Sequence, residues 1–159
     1  MTSKPTATEA AAARLRALIG KEVHVSDWLT IDQARVNLFA DATSDHQWIH
    51  VDPRRAATGP FGGTIAHGYL TLSLYPHLRG LVSEDCPIAP GVTSIVNYGL
   101  NKVRFPSPVK VGARIRARCT LLAVEDVQGG LQITEQYAVE IEGGAKPACV
   151  AEAIVRLGF

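Results

Sequence analysis

A long apolar segment in the middle of the chain limits the folds that this sequence can adopt. From Ile65 to Val82 the residues are apolar nearly all round a helix, with Leu70, Leu74 and Leu78 among them. A helix with so little polar surface must be wrapped by other structure. Pro76 should kink this helix or end its regular part, because a proline inside a helix costs about 3 kcal/mol. The segment predicts a central helix with an interruption near Pro76.

The second half of the chain has the pattern of β-strands. Apolar and polar residues alternate over 131–141, which is typical of a strand with one buried face. Further strands are predicted over 93–105, 113–124 and 148–157, and the glycine pairs 129–130 and 143–144 favour hairpin turns between them. An antiparallel sheet curled around the buried helix satisfies both patterns. We therefore expect an α+β fold in a single domain over residues 1–159.

The first part of the chain contains signals for helix starts. Thr6 and Glu9 have the spacing of a capping box, which predicts a helix over 6–19 after a disordered segment 1–5. A short strand is predicted over 23–29.

A second capping box, Thr30-x-x-Gln33, predicts a helix over 31–42. Asp52 followed by Pro53 predicts the N-cap and first residue of one or two further helical turns. Residues 45–50 should then lie in a connection.

The composition excludes several classes of function. The 159 residues are 47% hydrophobic, which suits one domain with a real core, and the formal charge is +1 from 16 basic and 15 acidic residues. Lysine and arginine form no cluster, so nucleic-acid binding is not supported. The 3 cysteines (Cys86, Cys119, Cys149) lack a Cys-x-x-Cys spacing, which argues against a disulfide framework and favours the reducing cytoplasm. No segment has the length of a membrane span, and the N-terminus lacks the apolar core of a signal peptide.

Asp45 and His50 are the first candidates for chemistry. In one short connection, a carboxylate and an imidazole can share a water molecule, one accepting its proton while the other orients it or donates. Histidine suits this work because its ordinary pKa is about 6.5, and such groups contribute roughly 10²–10⁴-fold in rate. The alternative is that Asp45 caps the turn and His50 only packs.

Gly68 offers a different group, the free backbone N–H at the start of the apolar helix. With the helix dipole behind it, this N–H is suited to hold a thioester oxygen that gains negative charge. The alternative is that the glycine allows only close packing. Taken with Asp45 and His50, it indicates addition or removal of water next to a carbonyl.

Five other residues could border a substrate. Gln47 places an amide in the same connection, and Gly63 belongs to a glycine-rich loop that lets backbone approach a ligand. Asn97 and Tyr98 could line a channel, although ordinary strand polarity also explains them. His67 either lines the site or fixes the helix start, and we expect the structural role.

The histidines give little support for a metal site. His46 and His50 have an i, i+4 spacing, but they lie in a predicted loop without a His-Glu-x-x-His pattern. The sequence places no third ligand, so we expect no metal.

The segment from Asp45 to Tyr69 resembles the MaoC-like dehydratases, the (R)-specific enoyl-CoA hydratases also called hydratase 2. Their signature is an Asp-x-Asn-Pro-x-His run followed by a helix that begins with a His-Gly pair. The corresponding residues are Asp45-His-Gln-Trp-Ile-His50 and His67-Gly68. Residues 103–109 and 111–112 match a later family segment. The likeness covers about residues 20–157 and is greatest for the single-domain, nodulation-protein-N-like members.

This resemblance implies a hot-dog fold, in which a bent antiparallel sheet surrounds a long central helix, and a homodimer. It also implies reversible hydration of a trans-2-enoyl-CoA to the (3R)-3-hydroxyacyl-CoA. Asp45 and His50 would activate the water, and the Gly68 N–H would bind the thioester oxygen. Neither a metal nor a redox cofactor would be needed, and coenzyme A would enter as part of the acyl-CoA substrate.

The sequence departs from the family pattern at two places. Gln47-Trp48 replaces the usual Asn-Pro, and Pro76 stands where some members have a serine that assists the aspartate. Two other functions stay open: a hot-dog acyl-CoA thioesterase and a non-catalytic acyl-thioester-binding subunit. The thioesterase normally has its carboxylate on or near the central helix, but residues 65–81 contain no Asp or Glu.

Overall fold

The computed structural model describes residues 5–83 and 88–159. Its strands form one antiparallel sheet in the order β1-β4-β5-β6-β3, and β2 also pairs with β4. The strands are β1 (Glu22–Val25), β2 (Leu29–Thr30), β3 (Ser94–Arg104), β4 (Arg114–Val127), β5 (Gly130–Ile141) and β6 (Cys149–Gly158). The four long strands agree with the sequence prediction, and the alternation over 131–141 corresponds to β5.

Six helices occur in the described residues. They are α1 (Ala7–Arg16), α2 (Gln33–Thr43), α3 (Trp48–Val51), α4 (Pro53–Ala57), α5 (Gly68–Ser73) and α6 (Tyr75–Arg79). Within the described ranges, no helix has the length and apolar character needed to cross a membrane. Cys119 and Cys149 are buried free thiols, whereas the predictions on Cys86 and residues 1–4 lie outside the described residues.

The predicted cap of the first helix is confirmed, but that of the second is wrong. The Thr6 hydroxyl accepts from the Glu9 N–H at 3.2 Å, and Glu9 accepts from the Thr6 N–H at 2.8 Å. At α2 the N-cap is Asp32, whose carboxylate accepts from the Arg35 N–H at 2.8 Å. Aspartate is as good an N-cap as threonine, and Thr30 is occupied in the β2–β4 pairing.

The short strand predicted over 23–29 is divided in two. β1 ends at Val25, and β2 begins at Leu29. Between them, the Ser26 hydroxyl accepts from the Ala117 N–H at 2.9 Å, while the Ser26 N–H donates to the Ala117 carbonyl at 2.9 Å. The Ser26 hydroxyl thus replaces one backbone acceptor of the pairing with β4, and the strand is interrupted there.

The helix predicted over 65–82 is wrong at its start, which lies at Gly68, and the helical part is divided in two. α5 begins only at Gly68, and Leu74 separates it from α6, which has Pro76 in its first turn. Ile65 instead forms an isolated β-bridge with Lys110. The interruption expected from Pro76 is confirmed. Pro76 has no N–H for the hydrogen bonds of a continuing helix, but its fixed φ suits the first turn of a new helix.

Buried polar groups attach this helix pair to β5. The Tyr137 hydroxyl donates to the Thr71 carbonyl at 3.0 Å, and the Tyr75 hydroxyl donates to the Glu135 carboxylate at 2.7 Å. Arg79 donates to both oxygens of Glu135, at 2.8 Å each. The Glu135 side chain is 1% exposed, so its charge depends on these partners. The contacts fix α5 and α6, and with them the start of α5, against the sheet.

Neutralising Glu135 should destabilise the fold strongly. Glu135→Gln keeps the side-chain shape but leaves the Arg79 guanidinium without its counter-ion, and breaking a buried pair in this way costs about 3–5 kcal/mol. We expect the free energy of unfolding to fall by that amount in urea titrations at fixed protein concentration.

The matched control is Asp126→Asn, which removes an exposed pair with Arg16 at 2.7 Å. Exposed pairs contribute about 0–1 kcal/mol. Equal losses in the two variants would contradict a special role for the Glu135 network.

Candidate active site

The connection after α2 carries the first two candidate residues. Ser44 ends α2 in the left-handed conformation, with φ 60°. Asp45 follows in an extended segment, as predicted, but His50 does not lie in a loop. It belongs to the single turn α3, where its N–H donates to the Gln47 carbonyl at 2.9 Å. This turn buries the His50 side chain, which a plain connection would have left exposed.

His50 is held in one orientation by its own ring nitrogen. Nδ1 lies 2.7 Å from the Ile65 carbonyl oxygen, so it must carry the proton and donate. The Gln33 amide donates to the His50 carbonyl at 2.8 Å and accepts from the Thr64 hydroxyl at 2.7 Å, which braces the backbone from α2. The other ring nitrogen, Nε2, is left with a lone pair.

Burial lowers the pKa of His50 and is the largest influence on it. The hydrogen bond to Ile65 and the charge of Asp45 act in the opposite direction, while the neighbouring His67 lowers the pKa further. The net effect favours the neutral imidazole, which is the form that can accept a proton from water.

Asp45, His50 and His67 come together in space. One carboxylate oxygen of Asp45 and one ring nitrogen of each histidine all lie within 4.8 Å of one another. The Asp45 side chain is 54% exposed, whereas His50 is 7% and His67 3% exposed. A solvated carboxylate therefore lies close to two buried imidazoles.

His67 makes contact with both members of the predicted pair. Its Nε2 is 2.9 Å from the Asp45 carbonyl oxygen but 3.9 Å from the carboxylate, so the hydrogen bond is to the main chain. Its ring stacks on that of His50, with centroids 3.8 Å apart and 24° between the planes. Its Nδ1 is buried and has no hydrogen-bond partner among the described residues.

Gly68 is the first residue of α5 and lies near His50, in the wall of the pocket described below. The N-cap residue, His67, makes no side-chain bond to the first turn, and the first N–H groups of a helix have no partner within it. The Gly68 N–H is therefore available to a ligand. Because α5 has only 6 residues, the dipole behind this N–H is weaker than the sequence prediction assumed.

A pocket of about 350 Å³ lies next to these groups. Two of the predicted residues, His50 and Gly68, belong to its wall. The remaining lining residues are Phe61, Ile65, Ala66, Thr71, Phe105, Ser107, Pro108, Val109 and Ala148. The wall is mostly apolar, which suits a cavity for an acyl group better than one for a charged metabolite.

Gly68 also has a packing role. A Cβ built at this position would lie 3.0 Å from the Phe105 ring, which is tighter than most real Cβ contacts, so the ring would have to shift. The packing alternative for this glycine is therefore supported, and the oxygen-binding role of its N–H stays a prediction.

The other predicted residues lie outside the pocket wall. Gln47 contributes its backbone, with its N–H 3.4 Å from an Asp45 carboxylate oxygen, while its side chain is exposed. Gly63 lies in the turn before Ile65 and is not among the lining residues. Asn97 and Tyr98 line a separate pocket of about 310 Å³ between β3 and the helix pair. Substrate contact by these residues stays a prediction.

Sequence reasoning missed most of the pocket wall. Thr71 could have been found, because it is three residues after Gly68 and therefore on the same face of α5. Phe105 and Ala148 could not, since they are brought to the site by the ends of β3 and β6, which are far apart in sequence.

The geometry does not favour a metal ion. His46 is bound to Asp41 at 2.8 Å, so the i, i+4 histidine pair does not form a ligand set, and His67 is the third potential ligand that the sequence did not place. Imidazole binds a metal along a lone pair in the plane of its ring, at about 2.0–2.1 Å. The stacked rings of His50 and His67 direct their lone pairs along nearly parallel planes rather than to one point.

Comparison with known proteins decides the family. Residues 14–142 match the family described as MaoC like domain. The chain belongs to this family. It is 59% identical to 3-hydroxyacyl-thioester dehydratase Z of Mycobacterium tuberculosis over 145 residues, which cover 91% of this chain and 93% of that protein. It is 47% identical to nodulation protein N of Rhizobium leguminosarum bv. viciae over 143 residues, which cover 89% and 87% of the two proteins.

A solved structure supports the same assignment. The (R)-hydratase from Aeromonas caviae is similar with a TM-score of 0.66 and 27% identity, covering 85% of this chain and 97% of that one. The predicted α+β hot-dog fold is confirmed, although the central helix is broken. This MaoC-like protein is an enzyme of the hydratase and dehydratase class.

Proposed function

We propose that this MaoC-like enzyme is an (R)-specific enoyl-CoA hydratase and dehydratase that interconverts a trans-2-enoyl-CoA and the (3R)-3-hydroxyacyl-CoA. The observation that supports this most is the approach of Asp45 and His50 to within 4.8 Å beside a pocket that Gly68 also lines. The relative named as a 3-hydroxyacyl-thioester dehydratase supports the substrate class.

In the hydration direction, water lies between the Asp45 carboxylate and Nε2 of His50. The neutral imidazole takes one proton from this water as its oxygen bonds to C3, while the carboxylate orients it. The electrons of the C2–C3 double bond move toward the thioester carbonyl and form an enolate. A proton returned from the pair to C2 completes the addition, so that one water is added and nothing is oxidised or reduced.

We propose that the reaction needs no metal and no redox cofactor. The proton balance above closes without either, and the stacked imidazoles are poorly arranged to share an ion. We also propose that the enzyme acts in the cytoplasm, which accords with the buried free thiols Cys119 and Cys149.

Removing either member of the pair should abolish hydration of crotonyl-CoA. Asp45→Asn and His50→Gln keep side-chain size but remove the carboxylate and the base, and such groups contribute roughly 10²–10⁴-fold in rate. The decrease in absorbance of the conjugated thioester measures the rate, and circular dichroism checks the fold.

A matched control pair lies in the same stretch of chain. Asp41 and His46 also form an aspartate–histidine contact, at 2.8 Å, but both are exposed. Asp41→Asn and His46→Gln should leave the rate nearly unchanged. Full activity in Asp45→Asn or His50→Gln would remove this mechanism.

The assay also separates the other two functions. Release of free coenzyme A thiol from a saturated acyl-CoA would identify a thioesterase, although α5 and α6 carry no carboxylate. Tight binding of enoyl-CoA without turnover would identify a non-catalytic subunit. Chiral analysis of the product from C4 to C16 substrates would then test the (3R) assignment and give the chain-length preference.

We propose that the Gly68 N–H binds the thioester oxygen as it becomes an enolate. Its position in the pocket wall and its lack of a helical partner support this role. An amide-to-ester exchange at Gly68 by semisynthesis would replace the N–H with oxygen and leave the side chains unchanged.

This exchange should lower kcat by about 10²–10³-fold, the loss seen when an oxyanion donor is removed. The control is the same exchange at Tyr69, whose N–H is also in the first turn of α5. If the exchange at Tyr69 lowered kcat and the exchange at Gly68 did not, the donor would be the Tyr69 N–H and the proposal for Gly68 would be wrong.

We propose that the enzyme is a homodimer that uses the edge strand β3. Among the described strands it pairs only with β6, and Val96, Tyr98 and Leu100 are 57%, 57% and 46% exposed. An unpaired strand edge with apolar side chains favours association with another chain.

Sedimentation equilibrium should give a mass twice the 17.0 kDa of one chain. Leu100→Lys should shift the equilibrium toward the monomer, because charge on an edge strand opposes pairing. Val82→Lys, at an exposed residue outside the strand, is the control. A monomeric wild-type protein would contradict the homodimer and favour a requirement for a different partner chain.

A further inference from the structure

His67 is placed differently from an ordinary helix cap. It is the N-cap residue of α5, yet its side chain makes no hydrogen bond to the helix. The Nε2–H group instead donates to the Asp45 carbonyl at 2.9 Å, which joins the start of α5 to the connection after α2. The first turn of α5 gains nothing from this side chain, so the reason for a histidine must be sought in its contacts with Asp45 and His50.

The second ring nitrogen of His67 points to a role beyond packing. Nδ1 is buried and has no hydrogen-bond partner among the residues of the two described ranges. Burying such a nitrogen without a partner costs about 1–3 kcal/mol. In the tautomer that donates to Asp45 through Nε2, Nδ1 carries the lone pair.

The face of this ring is packed against His50. The centroids of these rings are 3.8 Å apart, and the ring of Phe39 in α2 also contacts His67, with centroids 5.0 Å apart and 54° between the planes. Two imidazoles at this distance repel each other if both carry a proton, so the protonation of one depends on the other. His67 thus contacts the main chain of one catalytic residue and the ring of the other.

We propose that His67 is a positioning residue for the catalytic pair: its Nε2–H bond fixes the main chain of Asp45, and its ring, stacked on that of His50, opposes a second proton on the two imidazoles and so keeps His50 a base. The inference depends on the proposed function, because the hydration reaction is what gives the pair its task.

The electrostatic surroundings of His50 agree with this role. The charged or titratable groups that act on it are Asp45 and His67, while Ile65 and Gln33 contribute uncharged polar groups. Burial is the largest cause that lowers the pKa of His50, and His67 lowers it further. A base must be unprotonated to accept a proton, so His67 should extend activity toward lower pH.

Two substitutions separate the two contacts. His67→Gln keeps an N–H donor that can reach the Asp45 carbonyl but removes the imidazole ring. His67→Phe keeps an aromatic face against His50 but removes the donor. We expect kcat for crotonyl-CoA hydration to fall by less than about tenfold in His67→Gln and by about 10²-fold in His67→Phe, since a misplacement of about 1 Å has that effect. KM should change less than kcat in both.

The pH dependence gives a readout that a merely structural role would not move. In both variants the midpoint of the His50 titration, followed by NMR of the ring protons, should rise above that of the wild type. The acid limb of the kcat profile should move to higher pH by the same amount, because the protonated fraction of His50 at a given pH increases.

His24 provides a matched control. Its Nε2 also contacts a backbone carbonyl, that of Leu78 at 2.8 Å, but it is remote from the pair. His24→Gln and His24→Phe should leave the His50 midpoint and the acid limb unchanged.

The NMR titration tests the role of His67 separately from the proposed reaction. The NMR titration needs no substrate, so it still tests the coupling of His67 to His50 if the wild type proves inactive on enoyl-CoAs, which would contradict the proposed function instead. An unchanged His50 midpoint in His67→Gln, or full kcat in a folded His67→Phe, would overturn the proposal. If His67→Phe does not fold, the midpoint in His67→Gln decides alone.

Discussion

Two hydrogen bonds from imidazole to backbone determine the site on which everything else depends. His50 donates through Nδ1 to the Ile65 carbonyl, and His67 donates through Nε2 to the Asp45 carbonyl. Each bond joins the stretch from Asp45 to His50 with the segment that leads into α5, so the two segments are linked in both directions. Each bond also fixes a tautomer, because the nitrogen that faces a carbonyl must carry the proton. In His50 the proton is therefore on Nδ1, and Nε2 carries the lone pair.

The sequence predicted the elements that local chemistry determines. The Thr6–Glu9 capping box and the Asp52–Pro53 helix start depend on groups within four residues of each other, and both are present. The alternation of apolar and polar residues in β5 reflects the burial of one face of this strand within the sheet. Thr30 was a wrong cap because its backbone is used by β4, a strand more than 80 residues away, and no local pattern reports that competition.

The site was predictable in part for the same reason. Asp45, His50 and Gly68 follow from motifs within short segments, and the structure brings them to one region. The one-turn helix that buries His50 was not predicted, because four residues carry too little periodicity to show a helix. The pocket wall depends on where β3 and β6 end, which is a matter of strand register. Asn97 and Tyr98 accordingly lie beside a different cavity from the one at His50.

The stabilising and destabilising features of this protein occupy opposite ends of the helix pair. At the α6 end, Glu135 pairs with the Arg79 charge and accepts a hydrogen bond from the Tyr75 hydroxyl, so this end is fixed to the sheet. At the α5 end, a buried nitrogen of His67 has no hydrogen-bond partner within residues 5–83 and 88–159. A local cost of this kind persists only where the surrounding structure holds the group in place. The rigid attachment of α6 can therefore be understood as the condition that allows α5 to begin beside this buried nitrogen of His67 and with a Gly68 N–H that has no partner within the helix.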